Sequence, residues 1–162
     1  MEEVVVCAAD LDDAAHAAAA LELIDDYARD PFGAGRPLAT TVRAALVEGL
    51  REHPTTLVFL AFVGGAPAGV AVCFRGFSTF AARPLLNVHD LSVAKRFRGR
   101  GIARRLLDAL EAKARELACC KLTLEVRGDN VRAQALYRSF GFRLPARPGD
   151  ATQTFFLEKL LT

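Results

Sequence analysis

The sequence predicts one α+β domain over residues 1–162, in which strands and helices follow one another in mixed order. Its composition, 52% hydrophobic and 25% charged residues, suits a single globular domain with an apolar core. Apolar strand-like runs also alternate with segments of helical periodicity along the chain. In addition, the turn Gly64–Pro67 separates two apolar runs, which predicts an antiparallel hairpin rather than a β-α-β unit.

The first 51 residues are predicted to form a strand and two helices. Residues 3–8 are rich in β-branched side chains and predict a short strand. Acidic capping residues at 10–13 precede an Ala-rich helix that is expected to end near Ala28. The segment 29–37 concentrates Pro and Gly and predicts a loop, and a second helix is expected over 38–51.

The remaining chain predicts five strands and two helices. The hairpin strands are expected over 56–63 and 68–74. The later elements, in chain order, are a strand over 85–93, a helix over 102–117, a strand over 121–126, a helix over 131–140 and a strand over 152–160. In the helix after Gly101, apolar residues recur at steps of three and four, which is typical of a helix that covers one side of a sheet.

Charge and cysteine content argue against several classes of protein. Lys and Arg number 21 against 19 Asp and Glu, so the net charge of +2 gives no reason to expect a nucleic acid or membrane partner. No apolar run approaches the roughly 20 residues that span a bilayer, and the acidic start of the chain is unlike a signal peptide. The four cysteines lack metal-site spacing, so we expect no metal, free thiols and a cytoplasmic location.

The segment from Arg96 to Ala103 is a glycine-bearing turn that opens a helix. Glycines let a ligand approach the backbone, and the helix N-terminus carries a partial positive charge, so such a turn binds anions, a diphosphate above all. Gly99 and Gly101 alone would also fit a merely structural tight turn. A dinucleotide fingerprint would need a third glycine or alanine where Arg104 stands, and a hairpin instead of β-α units precedes the turn.

Two motifs at the proper separation resemble those of the GNAT superfamily of N-acetyltransferases. Motif A, R/Q-x-x-G-x-G/A, is met by Arg96, Gly99 and Gly101 after a strand that ends at Val93. Motif B, N-x-x-A-x-x-L-Y with a closing Gly-Phe, is met by the segment from Asn130 to Phe142. The resemblance implies a mixed, mostly antiparallel central sheet that is flanked by helices and splayed at its centre. Acetyl-CoA would occupy the V-shaped opening, and the acetyl group would pass directly to a primary amine in a ternary complex.

The resemblance also assigns roles to particular residues. Backbone groups of Leu91, Ser92 and Val93 would contact the pantetheine arm like an added strand. The pyrophosphate would be cradled by Arg98, Gly99, Arg100, Gly101, Ile102 and Ala103. Asn130 and Ala133 would contact the cofactor, and Tyr137 would protonate the departing thiolate. A core aromatic beside Leu136 and Phe140 is the alternative interpretation of Tyr137.

The amine must be neutral to attack the thioester, which calls for a base. An amine with a pKa near 10.4 is neutral in about one molecule per few thousand at pH 7. His89 is the best candidate, and a histidine that only contacts substrate is the alternative. Strand alternation places Asn87, His89, Leu91 and Val93 on one face and Val88, Asp90 and Ser92 on the other, unless a β-bulge resets the register. Asp90 would orient a neighbouring group or bind the amine.

The acceptor is left open by the sequence. Ser78 to Arg83 resembles the diamine acetyltransferase branch, but His89 stands where that branch has Glu, so polyamine specificity does not follow. Family acceptor pockets would be built here from residues 30–37, which include Phe32, and 76–83. A small amine is our first hypothesis. The alternatives are a GNAT-fold acyl-CoA-binding module without turnover and a transferase for protein or peptide amines. A homodimer is expected from the family and from the apolar strand 154–157.

Overall fold

The computed structural model describes residues 2–161, and each predicted helix and strand is present. The elements of this part of the chain are β1 (Val4–Ala8), α1 (Ala14–Arg29), α2 (Thr40–Glu52), β2 (Thr56–Val63), β3 (Ala66–Ser78), β4 (Arg83–Val93), α3 (Ile102–Glu116), β5 (Lys121–Arg127), α4 (Val131–Phe140) and β6 (Thr154–Leu160). A single 3₁₀ turn, Lys95–Phe97, lies between β4 and α3. The main difference from the prediction is β3, which continues well beyond residue 74.

The six strands form one open sheet in the order β1-β2-β3-β4-β5-β6. Every neighbouring pair is antiparallel except β4 and β5, which are parallel. This confirms the mixed, mostly antiparallel sheet. β4 and β5 pair only from Leu86 with Leu122 to Val88 with Leu124, although β4 continues to Val93 and β5 to Arg127. The sheet is therefore split beyond Val88, and this is the splay that the family resemblance predicts.

Apolar side chains cover both faces of the sheet. On one face, Leu106, Leu107 and Leu110 of α3 are fully buried against strand residues such as Leu122, and we call this layer the α3-side core. On the other face, α1 residues pack on strand residues in a layer that we call the α1-side core, whose members include Leu23, Ile24, Leu60, Val70 and Val72. None of the helices within residues 2–161 is long and apolar enough to cross a membrane.

A β-bulge interrupts β4 where the sheet splits. Val72 of β3 pairs with Asp90, whereas the next residue, Cys73, pairs with Val88, so His89 has no cross-strand partner. Such an extra residue resets the alternation of side chains along a strand. The two halves of β4 therefore follow different registers.

The predicted alternation along β4 is wrong because of this bulge. Leu91 and Val93 pack against the α3-side core, on the face that also buries Val88. His89 lies edge-on to Phe74, with ring centroids 5.4 Å apart. Phe74 packs against the α1-side core. His89 therefore faces the opposite side of the sheet from Leu91 and Val93, not the same side.

Candidate active site

A cavity of about 360 Å³ opens where β4 and β5 separate. Eleven of the residues predicted to bind a cofactor line it, and they are Leu91, Ser92, Val93, Arg98, Gly99, Gly101, Ile102, Ala103, Asn130, Ala133 and Tyr137. Arg100 does not line this cavity, and its guanidinium lies 5.5 Å from the centre of the Phe97 ring. We call this space the first cavity.

The glycine turn presents open backbone to the first cavity. Gly99 and Gly101 have φ angles of +78° and +74°, in the left-handed region that favours glycine. Apart from the glycine itself and its two chain neighbours, no atom of the described chain would lie within 4 Å of a Cβ placed on either residue. Gly101 is also the N-cap of α3 and supplies no side-chain cap, so the first amide groups of α3 remain available to an anion.

Three arginines, Arg98, Arg104 and Arg132, add positive charge to the wall of the first cavity. Nε of Arg98 donates to the carbonyl oxygen of Val93 at 3.0 Å. Nη2 of Arg98 donates to Oδ2 of Asp30 at 2.7 Å. The first contact uses the carbonyl of Val93, a residue whose backbone is predicted to contact the cofactor arm, and the second connects the glycine turn to the end of α1.

Asp30 begins the loop between α1 and α2. Its Oδ1 accepts a hydrogen bond from the backbone N–H of Phe32 at 2.9 Å. Burial alone would raise the pKa of the Asp30 carboxyl, but the hydrogen bonds from Arg98 and Phe32 outweigh this effect and hold that pKa below its ordinary value. The carboxylate is therefore a stable acceptor for Arg98.

The other end of this segment is held by Arg127 of β5. Nη1 of Arg127 donates to the carbonyl oxygen of Pro31 at 3.0 Å, and the guanidinium lies 5.3 Å from the centre of the Phe32 ring. Asp129 accepts two further hydrogen bonds from Arg127, at 3.0 and 2.9 Å. Residues 30–32 thus bridge the split sheet, with Arg98 on the β4 side and Arg127 on the β5 side.

Helix α4 places Asn130 and Tyr137 on the wall of the cavity. Asn130 is the N-cap, and its Oδ1 accepts from the backbone N–H of Ala133 at 3.2 Å. Tyr137 is 8% exposed and packs against Phe142, with ring centroids 5.7 Å apart. Burial raises the pKa of the Tyr137 phenol, so the hydroxyl stays protonated and able to donate. It is both a core aromatic and a cavity residue.

A second cavity, of about 290 Å³, adjoins the first. Six residues line both, namely Tyr27, Phe32, Leu91, Asn130, Ala133 and Tyr137. His89 of β4 and Glu125 of β5 line the second cavity but not the first. The two cavities therefore meet at these shared residues, which we call the junction and which include Tyr137. His89 and Glu125, whose side chains are of a type that accepts protons, lie beyond the junction in the second cavity. Within residues 2–161, no three His, Cys, Asp or Glu side chains are grouped so that they could hold a metal ion.

Asp90 lies outside both cavities. It is opposite Val72, which belongs to the α1-side core. Burial raises the pKa of the Asp90 carboxyl, and the neighbouring His89 offsets this only in part. The structure thus places His89 and Phe32 at the second cavity, while Asp90 is set back from it.

Sequence reasoning missed Tyr27 and Glu125. Tyr27 lies in the last turn of α1, and the sequence predicts only an Ala-rich helix at this position. The sequence does contain a signal for Glu125, because the polar residues of β5 alternate with its apolar residues. The polar residues include Thr123, Glu125 and Arg127. Only the split explains why this polar face meets a cavity.

Comparison with known proteins agrees with this geometry. A family model described as the acetyltransferase (GNAT) family matches residues 17–142. The chain is 42% identical over 84 residues to the N-alpha-acetyltransferase RimI of Mycobacterium tuberculosis, a match that covers 51% of each protein. It is 35% identical over 86 residues to the thialysine N-epsilon-acetyltransferase of Caenorhabditis elegans, with 53% of each covered. The chain spans about half the length, or less, of the curated relatives it matches.

A solved structure shares the whole architecture. A chain in the crystal structure of the NatC complex bound to Gag peptide and CoA matches with a TM-score of 0.72. The sequence identity is 24%, and 99% of each chain is covered. At this identity the likeness shows the fold alone.

Proposed function

Because the chain belongs to the GNAT acetyltransferase family, we propose that it is an acetyl-CoA-dependent N-acetyltransferase that transfers the acetyl group directly to a primary amine. One observation carries the proposal: the split sheet joins a cavity with an open glycine turn to a second cavity with proton-accepting side chains, and Tyr137 lies at the junction. Such an arrangement suits a ternary complex in which the two substrates meet.

The residues of the first cavity fit acetyl-CoA. The Gly99–Gly101 turn and the N-terminus of α3 offer N–H groups to a diphosphate, and Arg98, Arg104 and Arg132 supply the opposing charge. The unpaired edge of β4 beyond Val88 offers backbone groups to an amide-containing arm. The match to the acetyltransferase (GNAT) family supports an acetyl donor as the ligand.

We propose separate roles for the residues around the junction. His89 accepts a proton from the amine, and the Glu125 carboxylate attracts the cationic form of the amine into the second cavity. A backbone N–H of the split strand near Leu91 stabilises the tetrahedral oxyanion. Tyr137 gives its proton to the sulfur as the C–S bond breaks, and the products are CoA and an N-acetyl amine.

The acceptor class has two candidates. A small primary amine fits a cavity of about 290 Å³. An α-amine of a protein or peptide is supported by the names of relatives, because RimI and the MAK3 relative of Arabidopsis thaliana are N-alpha-acetyltransferases. The C. elegans relative is named for an ε-amine. A primary amine is the shared chemistry.

The proposed function is tested by CoA release at fixed acetyl-CoA with small amines, polyamines and peptides with free N-termini. We expect CoA release above the acetyl-CoA hydrolysis background with at least one acceptor class, together with an N-acetyl product in the mass spectrum. Acetyl-CoA binding without acetylation of any acceptor class would instead favour the binding module. Competition by peptides against a small amine separates the two acceptor classes.

Replacing His89 and Glu125 separates base from amine binding. We expect His89→Ala to shift the acidic limb of the pH–rate profile, because the proposed proton acceptor is then missing. We expect Glu125→Gln to raise KM for the amine and to keep that limb, because it removes a charge and preserves size. The opposite pattern, in which Glu125→Gln changes the acidic limb and His89→Ala does not, would mean that Glu125 accepts the proton and His89 binds the amine.

We also propose a cytoplasmic, homodimeric, single-domain protein. The four cysteines are unbridged, as suits a reducing compartment. On β6, Phe156 is 61% exposed and Leu160 is 51% exposed, which suits a surface between two copies. Sedimentation velocity measures the oligomeric state directly.

A further inference from the structure

Tyr27 is the one cavity-lining phenol that the proposed roles do not use. The chain has two tyrosines, and both line both cavities. Of the six residues shared by the two cavities, only Tyr27 and Tyr137 carry a hydroxyl group. They reach the junction from different sides, since Tyr27 belongs to α1 and Tyr137 to α4.

The backbone around Tyr27 fixes its place at the junction. Its carbonyl oxygen accepts a hydrogen bond from the N–H of Asp30 at 3.0 Å, which ends α1. A Cβ on Gly33 would lie 2.1 Å from the same oxygen, so the loop after α1 packs directly on this residue. Asp30 is held in turn by Arg98 at 2.7 Å. The phenol is thus carried by a tightly packed helix end.

The hydroxyl of Tyr27 is available to a ligand. It makes no hydrogen bond to any other residue in the range 2–161. It also keeps accessible surface, because it is not among the buried side-chain atoms of that range that lack a partner, and Tyr27 lines both cavities. Burial and the nearby Asp90 and Asp30 carboxylates raise the pKa of this phenol, which keeps it protonated. A protonated hydroxyl at this point can donate a hydrogen bond to a bound ligand.

We infer that Tyr27 is a further catalytic residue, whose hydroxyl donates a hydrogen bond to the carbonyl oxygen of the acetyl thioester. This assignment rests on the proposed function. When the amine nitrogen bonds to the carbonyl carbon, the C=O electron pair moves to oxygen, and Tyr27 stabilises that negative charge without giving up its proton. Collapse of the intermediate reforms C=O and breaks C–S, and the sulfur takes its proton from Tyr137. The two phenols thus serve two different atoms.

The test is the ¹³C resonance of [1-¹³C]acetyl-CoA bound to the protein. We expect wild type to shift the carbonyl resonance downfield of its value in free acetyl-CoA, because a donor polarises C=O. Tyr27→Phe should return it towards the free value, whereas the matched Tyr137→Phe variant should leave it shifted. If Tyr27→Phe binds acetyl-CoA and the carbonyl resonance stays at its value in the wild-type complex, the assignment of Tyr27 is overturned while the proposed function stands. Failure of acetyl-CoA to bind the wild type would overturn the proposed function and the assignment together.

Kinetics provide a second readout with an acceptor found in the CoA-release screen. We expect Tyr27→Phe to lower kcat about 100-fold, the range for the loss of one oxyanion donor, with KM for the acceptor little changed. A residue that only shapes the second cavity would instead raise that KM and preserve kcat, and this result would overturn the assignment.

Discussion

Tyr137→Phe should lower kcat about 100-fold or more while acetyl-CoA affinity changes by less than about tenfold. The substitution removes only the hydroxyl, because the ring and its packing against Phe142 remain. Without that donor the thiolate must leave unprotonated or take its proton from water. Single-turnover measurements, which isolate the acetyl-transfer step from product release, give the relevant rate constant.

A matched variant separates the hydroxyl from the ring. Tyr137→Leu loses both, so we expect it to lower kcat as Tyr137→Phe does and also to lower the melting temperature, because the residue is only 8% exposed. Near-normal single-turnover rates for Tyr137→Phe would show that the tyrosine serves packing alone and that the sulfur is protonated by another group.

Gly101→Glu should abolish acetyl-CoA binding in a folded protein. The new side chain would enter open space at the turn and place a negative charge where the diphosphate is proposed to sit. A negative charge near the N-terminus of α3 is favourable for the helix dipole, so the added charge itself gives no reason for the helix to be lost. The measurement is the rise in melting temperature with acetyl-CoA, which wild type should show and the variant should lack.

Gly101→Ala is the control for backbone strain. It imposes the same φ of +74° on a residue with a side chain, at a cost of roughly 1–2 kcal/mol, but adds no charge and little volume. We expect it to lower stability and to retain acetyl-CoA binding within about tenfold. NAD should raise the melting temperature of wild type weakly or not at all. Micromolar acetyl-CoA affinity in folded Gly101→Glu would mean that the turn has only a structural role.

Local patterns were sufficient to predict the elements of this fold. α4 begins and ends where the sequence predicts, because Asn130 is a good N-cap and Gly141 adopts the left-handed conformation that ends helices. β2 also begins and ends where the sequence predicts, because Pro54 precedes it and Gly64 follows it. The glycine turn could likewise be located, since its function depends on main-chain conformations that only a few residue types allow.

The bulge and the contacts across the split could not be predicted in this way. An extra residue at position 89 has no local signature, yet it sends His89 to the α1 side and keeps Leu91 on the α3 side. The roles of Tyr27 and Glu125 depend on helix and strand ends that meet only in three dimensions. The Arg98–Asp30 contact joins residues 68 positions apart, and nothing in either segment requires the other.

The split sheet also bears on how the protein opens and closes. β5 and β6 are connected to the rest of the sheet by only three residue pairs of β4 and β5, so we expect the segment from β5 to β6 to open as a unit separate from β1–β4. A molecule bound in the first cavity would contact residues on both sides of this seam, such as Leu91 and Asn130. Ligand binding would therefore join β1–β4 and the segment from β5 to β6 into one cooperative unit. The amide groups of β5 and β6 would then exchange their hydrogens as slowly as those of β1–β4.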